Sequence, residues 1–223
     1  MDDESSYAEA LQKRIEDAYV KSGNSLGWRL LASPAHVVNH AGIALLGLHP
    51  GGRVRPADHA EFAMASGSAY EVEQWANHPA GQNPLQVQVR TLFELLDVRP
   101  EDVLAGNLVP FRSPNIASLQ NSKAAFQFGE QIWDEILNRA RPNLVIGMGR
   151  QTREILIRLL GVKEAVSVPL GWGNITGTRG IFAGGVFVGL PHLSRFRIMG
   201  RSESIPGIKA LFEGHMNSSA RPA

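Results

Sequence analysis

Four short apolar runs, each followed by a turn rich in glycine, proline or asparagine, constrain the fold of this chain most strongly. They lie at residues 43–46, 103–105, 143–147 and 185–190. Runs of this length between turn residues predict buried strands. Because helical patterns separate the runs, we expect parallel strands with helices on both faces. The sequence therefore predicts an α/β fold: a three-layer α/β/α sandwich whose mostly parallel central sheet has about four strands.

The predicted helices share apolar residues at spacings of three and four positions. They lie at residues 5–21, 85–96, 121–140, 151–160 and about 203–214. Residues 53–69, which include Pro56 and Gly67, predict a long loop. Long loops inside compact domains usually serve function. Val166 and Val168 indicate a short extended segment.

Composition restricts the class of protein. With 43% apolar and 19% charged residues, the 223-residue chain is typical of a globular protein. We assign residues 1–216 to a single domain and residues 217–223 to a flexible tail. No apolar run approaches the length of about 18 residues that a transmembrane helix needs. The acidic start, residues 1–4, differs from a secretory signal, so we expect a cytoplasmic protein with no membrane partner.

The chain contains no cysteine, which excludes disulfides, thiolate-held zinc, cysteine-ligated iron–sulfur clusters and a cysteine nucleophile. His36 and His40 have helical spacing, but the glutamate of a zinc-protease motif is missing between them. We therefore expect neither a metal nor an organic cofactor. Nothing in the sequence indicates an obligatory protein partner.

Charge is distributed unevenly along the chain. Residues 111–223 carry 14 Lys and Arg against 7 Asp and Glu, whereas residues 1–110 carry 8 against 14. Most of the C-terminal positive residues are arginines, whose planar guanidinium suits phosphate. Composition alone favours an uneven solvated surface as the explanation of this excess, and a phosphate-bearing partner is the alternative.

Polar or glycine-rich loops follow the carboxyl ends of the predicted strands. Parallel sheets bind ligands at these ends. Gly47-Leu48-His49-Pro50-Gly51 follows the first strand and resembles the first motif of the uracil-DNA glycosylase superfamily. Residues 191–195, Pro-His-Leu-Ser-Arg, resemble its second motif. Between them, residues 107–114 and 141–149 are similar to the family's second and third strand ends, and Phe62 falls where several families place a base-stacking aromatic.

The resemblance departs from the family pattern at two positions. His49 stands where the first motif usually has Asn, Asp or Ala, and Leu193 stands where the second motif has Pro. The cysteines of the iron–sulfur branches are absent. The resemblance is therefore to the cluster-free branches.

The resemblance implies residues that bind and release a base. His192 would donate a hydrogen bond to the leaving base as it becomes anionic, or else it is a loop histidine bonded to backbone. Asn107 would pair with N3–H and O4 of uracil, or else it only turns the chain. Phe62 would stack on the base, or else it anchors its loop in the core. The rest of the implied base site is Gly47, Leu48, Pro50 and Gly51.

The resemblance also implies DNA contacts after the last strand. Ser194 would bond a phosphate, Arg195 would fill the gap left by the extruded nucleotide, and Arg197 would add positive charge. Each is alternatively an ordinary surface residue.

His49 has three possible roles. As a general base it would activate the attacking water. As a nucleophile it would attack the sugar and trap the DNA covalently. As a bystander it would mark a protein that has lost or changed its activity.

The function implied by the resemblance is excision of uracil or a related deaminated base from DNA, by base flipping and hydrolysis of the N-glycosidic bond. The alternative is a non-catalytic or covalently trapping module that binds DNA or a flipped base. A third option is an enzyme that acts on a free nucleoside or nucleotide.

Overall fold

A computed structural model describes the backbone of residues 2–216 and the side chains from Ser6 onward. It contains a six-stranded sheet with the spatial order β2-β1-β3-β6-β5-β4. The strands are β1 (Ile43–Gly47), β2 (Leu104–Asn107), β3 (Leu144–Met148), β4 (Lys163–Trp172), β5 (Ile175–Phe182) and β6 (Gly185–Leu190). The first four in spatial order are parallel, and β5 and β4 continue the sheet in antiparallel pairing.

Helices precede or connect the strands. They are α1 (Asp2–Ser22), α2 (Ala69–Val72), α3 (Pro84–Leu95), α4 (Ser122–Ala140), α5 (Arg150–Leu159) and α6 (Ile205–Leu211). The start of α3 shows how the local sequence fixes an end: the Asn83 side chain accepts from Leu85 N–H, and Gln86 accepts from Asn83 N–H in return. With Pro84 as first residue, this capping box satisfies donors that a helix start leaves free.

Successive strand residues alternate between two buried cores. In β1, Ala44 and Leu46 belong to the core that packs against α1, α4 and α5. Leu45 belongs to the core on the opposite face, which packs against α2, α3 and α6. A parallel sheet buried on both faces needs nearly continuous apolar strands, which is the pattern of the sequence. The expected three-layer α/β/α arrangement is confirmed.

The sheet has six strands instead of the four expected. Gly177 and Gly180 interrupt the apolar pattern of β5, so no strand is predicted there from the residues alone. A Cβ on Gly177 would collide with Leu211 of α6, and one on Gly180 would collide with Val162. Glycine permits these close approaches. The segment expected around Val166 is part of the ten-residue β4.

The remaining expectations for the elements are confirmed, with two differences. α6 ends at Leu211 rather than near residue 214, and the four-residue α2 was not predicted. The expected long loop has no helix or regular strand from residue 51 to residue 68. In the described part of the chain, no helix is long and apolar enough to cross a membrane. The cytoplasmic location stays a prediction, and the tail lies outside the described residues.

Gly106 brings β2 and α4 into close contact just before the strand ends. A Cβ at this position would lie 2.5 Å from Leu30 O and 2.9 Å from Trp133 Cζ2. We predict that Gly106→Ala lowers the free energy of unfolding by about 1–3 kcal/mol, since backbone and a buried indole must both move. Urea denaturation measures the change. In Gly42→Ala, the matched control, the added methyl meets no atom within 4 Å, and equal losses in both variants would contradict the explanation.

Candidate functional site

Four parallel strands end at one edge of the sheet, which we call the carboxyl edge. Asn107 ends β2, His49 follows β1, Gly149 follows β3 and His192 follows β6. These strands are neighbours in the order β2-β1-β3-β6, so the predicted polar residues come together across the middle of the sheet. Such an edge is where parallel sheets bind ligands.

Backbone hydrogen bonds join the first motif to the chain that follows β2. Leu108 N–H donates to Gly47 O (2.9 Å), and Val109 N–H donates to Leu48 O (2.8 Å). Further along, Ser113 N–H donates to Pro50 O (3.1 Å). The two segments that resemble the family therefore extend the β1–β2 pairing beyond the sheet and hold each other in register.

Asn107 lies directly beside Gly47, its partner in the strand register. A Cβ on Gly47 would lie 3.2 Å from Asn107 Oδ1, so glycine leaves room for the amide. The backbone carbonyl of Asn107 accepts a hydrogen bond from Trp133 Nε1 of α4 (2.8 Å), which holds the backbone at the end of β2. No described residue is hydrogen-bonded to the side-chain amide of Asn107, so the amide nitrogen and oxygen are both available to a ligand.

His192 has a defined tautomer. Its Nδ1 accepts from Ser194 N–H at 3.3 Å and lies 2.7 Å from Ser194 Oγ. Because a backbone N–H can only donate, Nδ1 is unprotonated and the proton of the neutral ring is on Nε2. Burial lowers the pKa of His192, and the charges of Arg195 and His49 lower it further. His192 is therefore neutral near pH 7 and presents Nε2–H as a donor.

His49 has the opposite tautomer. Its Nδ1 lies 3.2 Å from Pro50 O, which can only accept, so the proton of the neutral ring is on Nδ1. Burial lowers the pKa of His49, while the hydrogen bond to Pro50 opposes that shift. Nε2 keeps a free lone pair, as no part of the described chain donates to it. The charge of His49 is one of the effects that lower the pKa of His192.

The remaining residues predicted for the base site occupy different environments. Leu48 is half-buried, Pro50 is buried and Gly51 is exposed, so the loop passes from core to solvent. Phe62 is only 8% exposed and belongs to the core cluster on the α4 face. Its carbonyl accepts from Leu31 N–H at 3.0 Å. The ring thus anchors the long loop, and its stacking on a base stays a prediction.

The loop after β6 combines buried anchors with exposed polar residues. Leu193, at the departure from the family pattern, is fully buried, and Phe196 contacts Trp172 edge to face at 6.1 Å between ring centroids. Ser194, Arg195 and Arg197 are exposed. The buried side chains hold the loop while the polar ones face solvent, which suits the DNA contacts predicted for them.

A second polar cluster, which the sequence did not reveal, lies under the long loop. Arg29 and Glu73 form a buried bidentate ion pair with N–O distances of 2.8 and 2.6 Å. Burial raises the pKa of Glu73, but the hydrogen bonds and charge of Arg29 outweigh it and the pKa is lowered. His59 lies 3.8 Å from Glu73, and the buried Arg112 guanidinium donates to Gly51 O. Arg29 and Glu73 stand 44 positions apart, so no local pattern predicts their pairing.

Within residues 2–216, no group of three or more histidine, aspartate or glutamate side chains is arranged to hold a metal ion. Comparison with known protein families and with curated proteins finds no match to this chain. The resemblance to the uracil-DNA glycosylase superfamily therefore rests on the motifs and their placement.

We predict opposite neutral tautomers for the two site histidines at pH 7. Long-range 1H–15N NMR spectra should show His192 protonated at Nε2 and His49 protonated at Nδ1. Both should titrate below the ordinary histidine value of about 6.5, because burial disfavours the charged ring. In Ser194→Ala the backbone donor remains, so His192 should keep its tautomer. An imidazolium at pH 7 for either residue would contradict the prediction.

Proposed function

We propose that this protein is a DNA glycosylase that excises uracil or a related deaminated base. The observation that carries the proposal is that Asn107, His49 and His192 lie at the same sheet edge, each with an unused hydrogen-bonding atom in the described structure. The Asn107 amide can recognise a base through one donor and one acceptor. The Nε2 lone pair of His49 can activate water, and the Nε2–H of His192 can stabilise the leaving base.

The amide of Asn107 supports selection of the base. Its oxygen accepts from N3–H of uracil, and its nitrogen donates to O4. Cytosine presents an acceptor and a donor at the same two positions, so both contacts become repulsive or unpaired. Trp133 holds the backbone carbonyl of Asn107, and Gly47 leaves room beside the side-chain amide, which supports this role.

His192 supports departure of the base. As the N-glycosidic bond breaks, its electron pair moves to the base, and negative charge develops on the base oxygens. Nε2–H of a neutral imidazole stabilises this charge without transferring its proton. One preorganised donor of this kind in a pocket with little water contributes on the order of 3 kcal/mol.

His49 supports attack by water. Nε2 accepts a proton from a water molecule while the water oxygen forms a bond to C1′ of the sugar. The products are an abasic sugar and the free base, and the proton on His49 then leaves to solvent or to the base. The lowered pKa of His49 keeps the lone pair available near neutral pH.

Duplex DNA would have to deliver an extruded nucleotide to this edge. Arg195 and Arg197 are exposed beside His192, and in the described structure neither forms an ion pair with a carboxylate. Their charge would attract phosphates, and Arg195 would fill the gap left by the extruded nucleotide. Ser194 is exposed, although its hydroxyl lies against His192 Nδ1 in the free protein.

The test is release of uracil from a labelled oligonucleotide, followed by alkaline cleavage of abasic sites. We predict activity with EDTA present and a single-turnover rate at least about a hundredfold lower in His192→Ala, since one donor to a developing anion is lost. His40→Ala is the matched control, because His40 precedes β1 at the opposite edge of the sheet.

No release of uracil, hypoxanthine or xanthine by the wild-type protein would overturn the proposal. Equal rates in wild type and His192→Ala would remove His192 from the mechanism, even if bases are released. A slow His40→Ala variant would show that the loss reports general damage to the protein.

His49 predicts a distinctive pH dependence. A base must be neutral, so kcat/KM should rise with pH through the pKa of His49. Because burial lowers that pKa, the rise should lie on the acid side of about 6.5 and be complete near pH 7. His49→Asn, which can still hold water, should keep substantial activity and lose this rise, whereas His49→Ala should lose most activity.

A denaturation-resistant protein–DNA band in wild type, absent in His49→Asn, would instead assign His49 as a nucleophile. If both variants match wild type and no covalent band forms, His49 has no chemical role.

A further inference from the structure

Arg112 is a buried cation with unused donors. The residue is 8% exposed and follows Phe111 in the segment that pairs with the first motif. Its Nη1 donates to Gly51 O. Nε is buried and has no acceptor in the described part of the chain. A buried guanidinium normally satisfies several N–H groups, so this arrangement is incomplete.

The carboxylate whose charge acts on Arg112, that of Glu73, already has hydrogen-bond partners. Both oxygens of Glu73 are bonded to Arg29, and one also accepts from Trp75 Nε1 at 2.8 Å. No carboxylate of the described residues lies within ion-pair distance of Arg112. Burial lowers the pKa of Arg112, and so does the charge of Arg29, against a smaller opposing effect of Glu73. The local excess of positive charge is what an anion would neutralise.

His59 adds a second polar group beside this charge. Its side chain is 24% exposed, and its Nε2 lies 3.8 Å from Glu73 Oε2. Burial lowers the pKa of His59; the charge of Glu73 raises it, and those of Arg29 and Arg112 lower it. A neutral imidazole can donate one hydrogen bond without requiring a further counter-ion.

The cluster lies next to the candidate site. Gly51, which accepts from Arg112, is two residues after His49 and is exposed. Gly52 has a φ of +118°, and a Cβ there would lie 3.3 Å from Arg112 Nη1. The loop backbone therefore runs against the guanidinium, and only glycine allows this path. A group bound by Arg112 would lie close to whatever His49 contacts.

We propose that Arg112, assisted by His59, binds a phosphate group next to the nucleotide held at the carboxyl edge. The inference rests on the proposed function for the position of that nucleotide. A phosphate oxygen completes the donors of the guanidinium with charge-assisted hydrogen bonds. The phosphate belongs either to the DNA backbone or to a free nucleotide, and these sources share the same chemistry.

The experiment compares wild type, Arg112→Gln and Arg141→Gln. Arg141 precedes β3 at the opposite edge and gives a matched loss of charge. The probe is a duplex with a tetrahydrofuran abasic analogue, in which single phosphates near the analogue are replaced by neutral methylphosphonates. Binding is measured by fluorescence anisotropy between about 50 and 200 mM salt.

We expect Arg112→Gln to weaken binding about tenfold or more and to reduce the log–log salt slope by about 0.9. One methylphosphonate position should weaken binding by wild type but add nothing in Arg112→Gln. Arg141→Gln should match wild type. Arg112→Lys retains the charge, so it should keep the salt slope while binding more weakly, and circular dichroism checks that the variants fold.

A free nucleotide as the source gives a different result. Wild type should then bind deoxyuridine monophosphate more tightly than deoxyuridine in NMR titrations, with the difference lost in Arg112→Gln and no effect of methylphosphonates. The comparison of nucleotide with nucleoside in wild type changes only the ligand, so that part of the test does not depend on the folding of a variant.

The proposal is overturned if wild type is insensitive to every methylphosphonate and binds the nucleotide no better than the nucleoside. It is also overturned if Arg112→Gln keeps the same phosphate dependence as wild type, because Arg112 then only holds Gly51. Failure of the glycosylase proposal is read separately, from uracil release, and phosphate-dependent binding without release would leave the Arg112 site in place.

Discussion

The backbone pairing that continues β1 and β2 beyond the sheet determines the geometry of the candidate site. Gly47 O and Leu48 O accept from Leu108 and Val109, and these bonds fix the two chains within the register of the sheet. His49 and Asn107 cannot shift relative to one another unless this register breaks. Arg112 is carried by the same segment a few residues later, so the buried cation inherits the same constraint.

Burial and hydrogen bonding together make Nε2 a donor in His192 and an acceptor in His49. Both rings are neutral for the same main reason, the cost of burying charge. Their partners differ: a backbone N–H at His192 and a backbone carbonyl at His49. Because these partners cannot exchange roles, one ring donates through Nε2 and the other accepts through Nε2. The backbone thus assigns roles that the residue type alone leaves open.

The parallel strands and the predicted site residues follow directly from local sequence. Apolar runs with turns at their ends locate β1, β2, β3 and β6, and parallel pairing then places the residues after them at one edge. β5 was not predicted because its glycines interrupt the apolar pattern. Gly177 is required by close contact with Leu211, and Gly180 by close contact with Val162, and neither contact is visible in the local sequence. The Arg29–Glu73 pair escaped for a similar reason: neither residue has a periodic neighbour that indicates the other.

The buried guanidinium of Arg112 costs stability in the free protein and would be paired when a ligand binds. A buried guanidinium with an unpaired Nε lowers stability, whereas an apolar side chain at the same position would carry no such penalty. Arg29 is paired with the carboxylate of Glu73, so the fold neutralises one buried cation in this region with its own residues. Arg112, in the segment after β2, is close enough for the charge of Arg29 to lower its pKa, but no carboxylate of the described residues forms an ion pair with it. A charge that the fold itself does not compensate is most simply explained by a ligand that compensates it, and its place beside Gly51 sets that ligand next to His49.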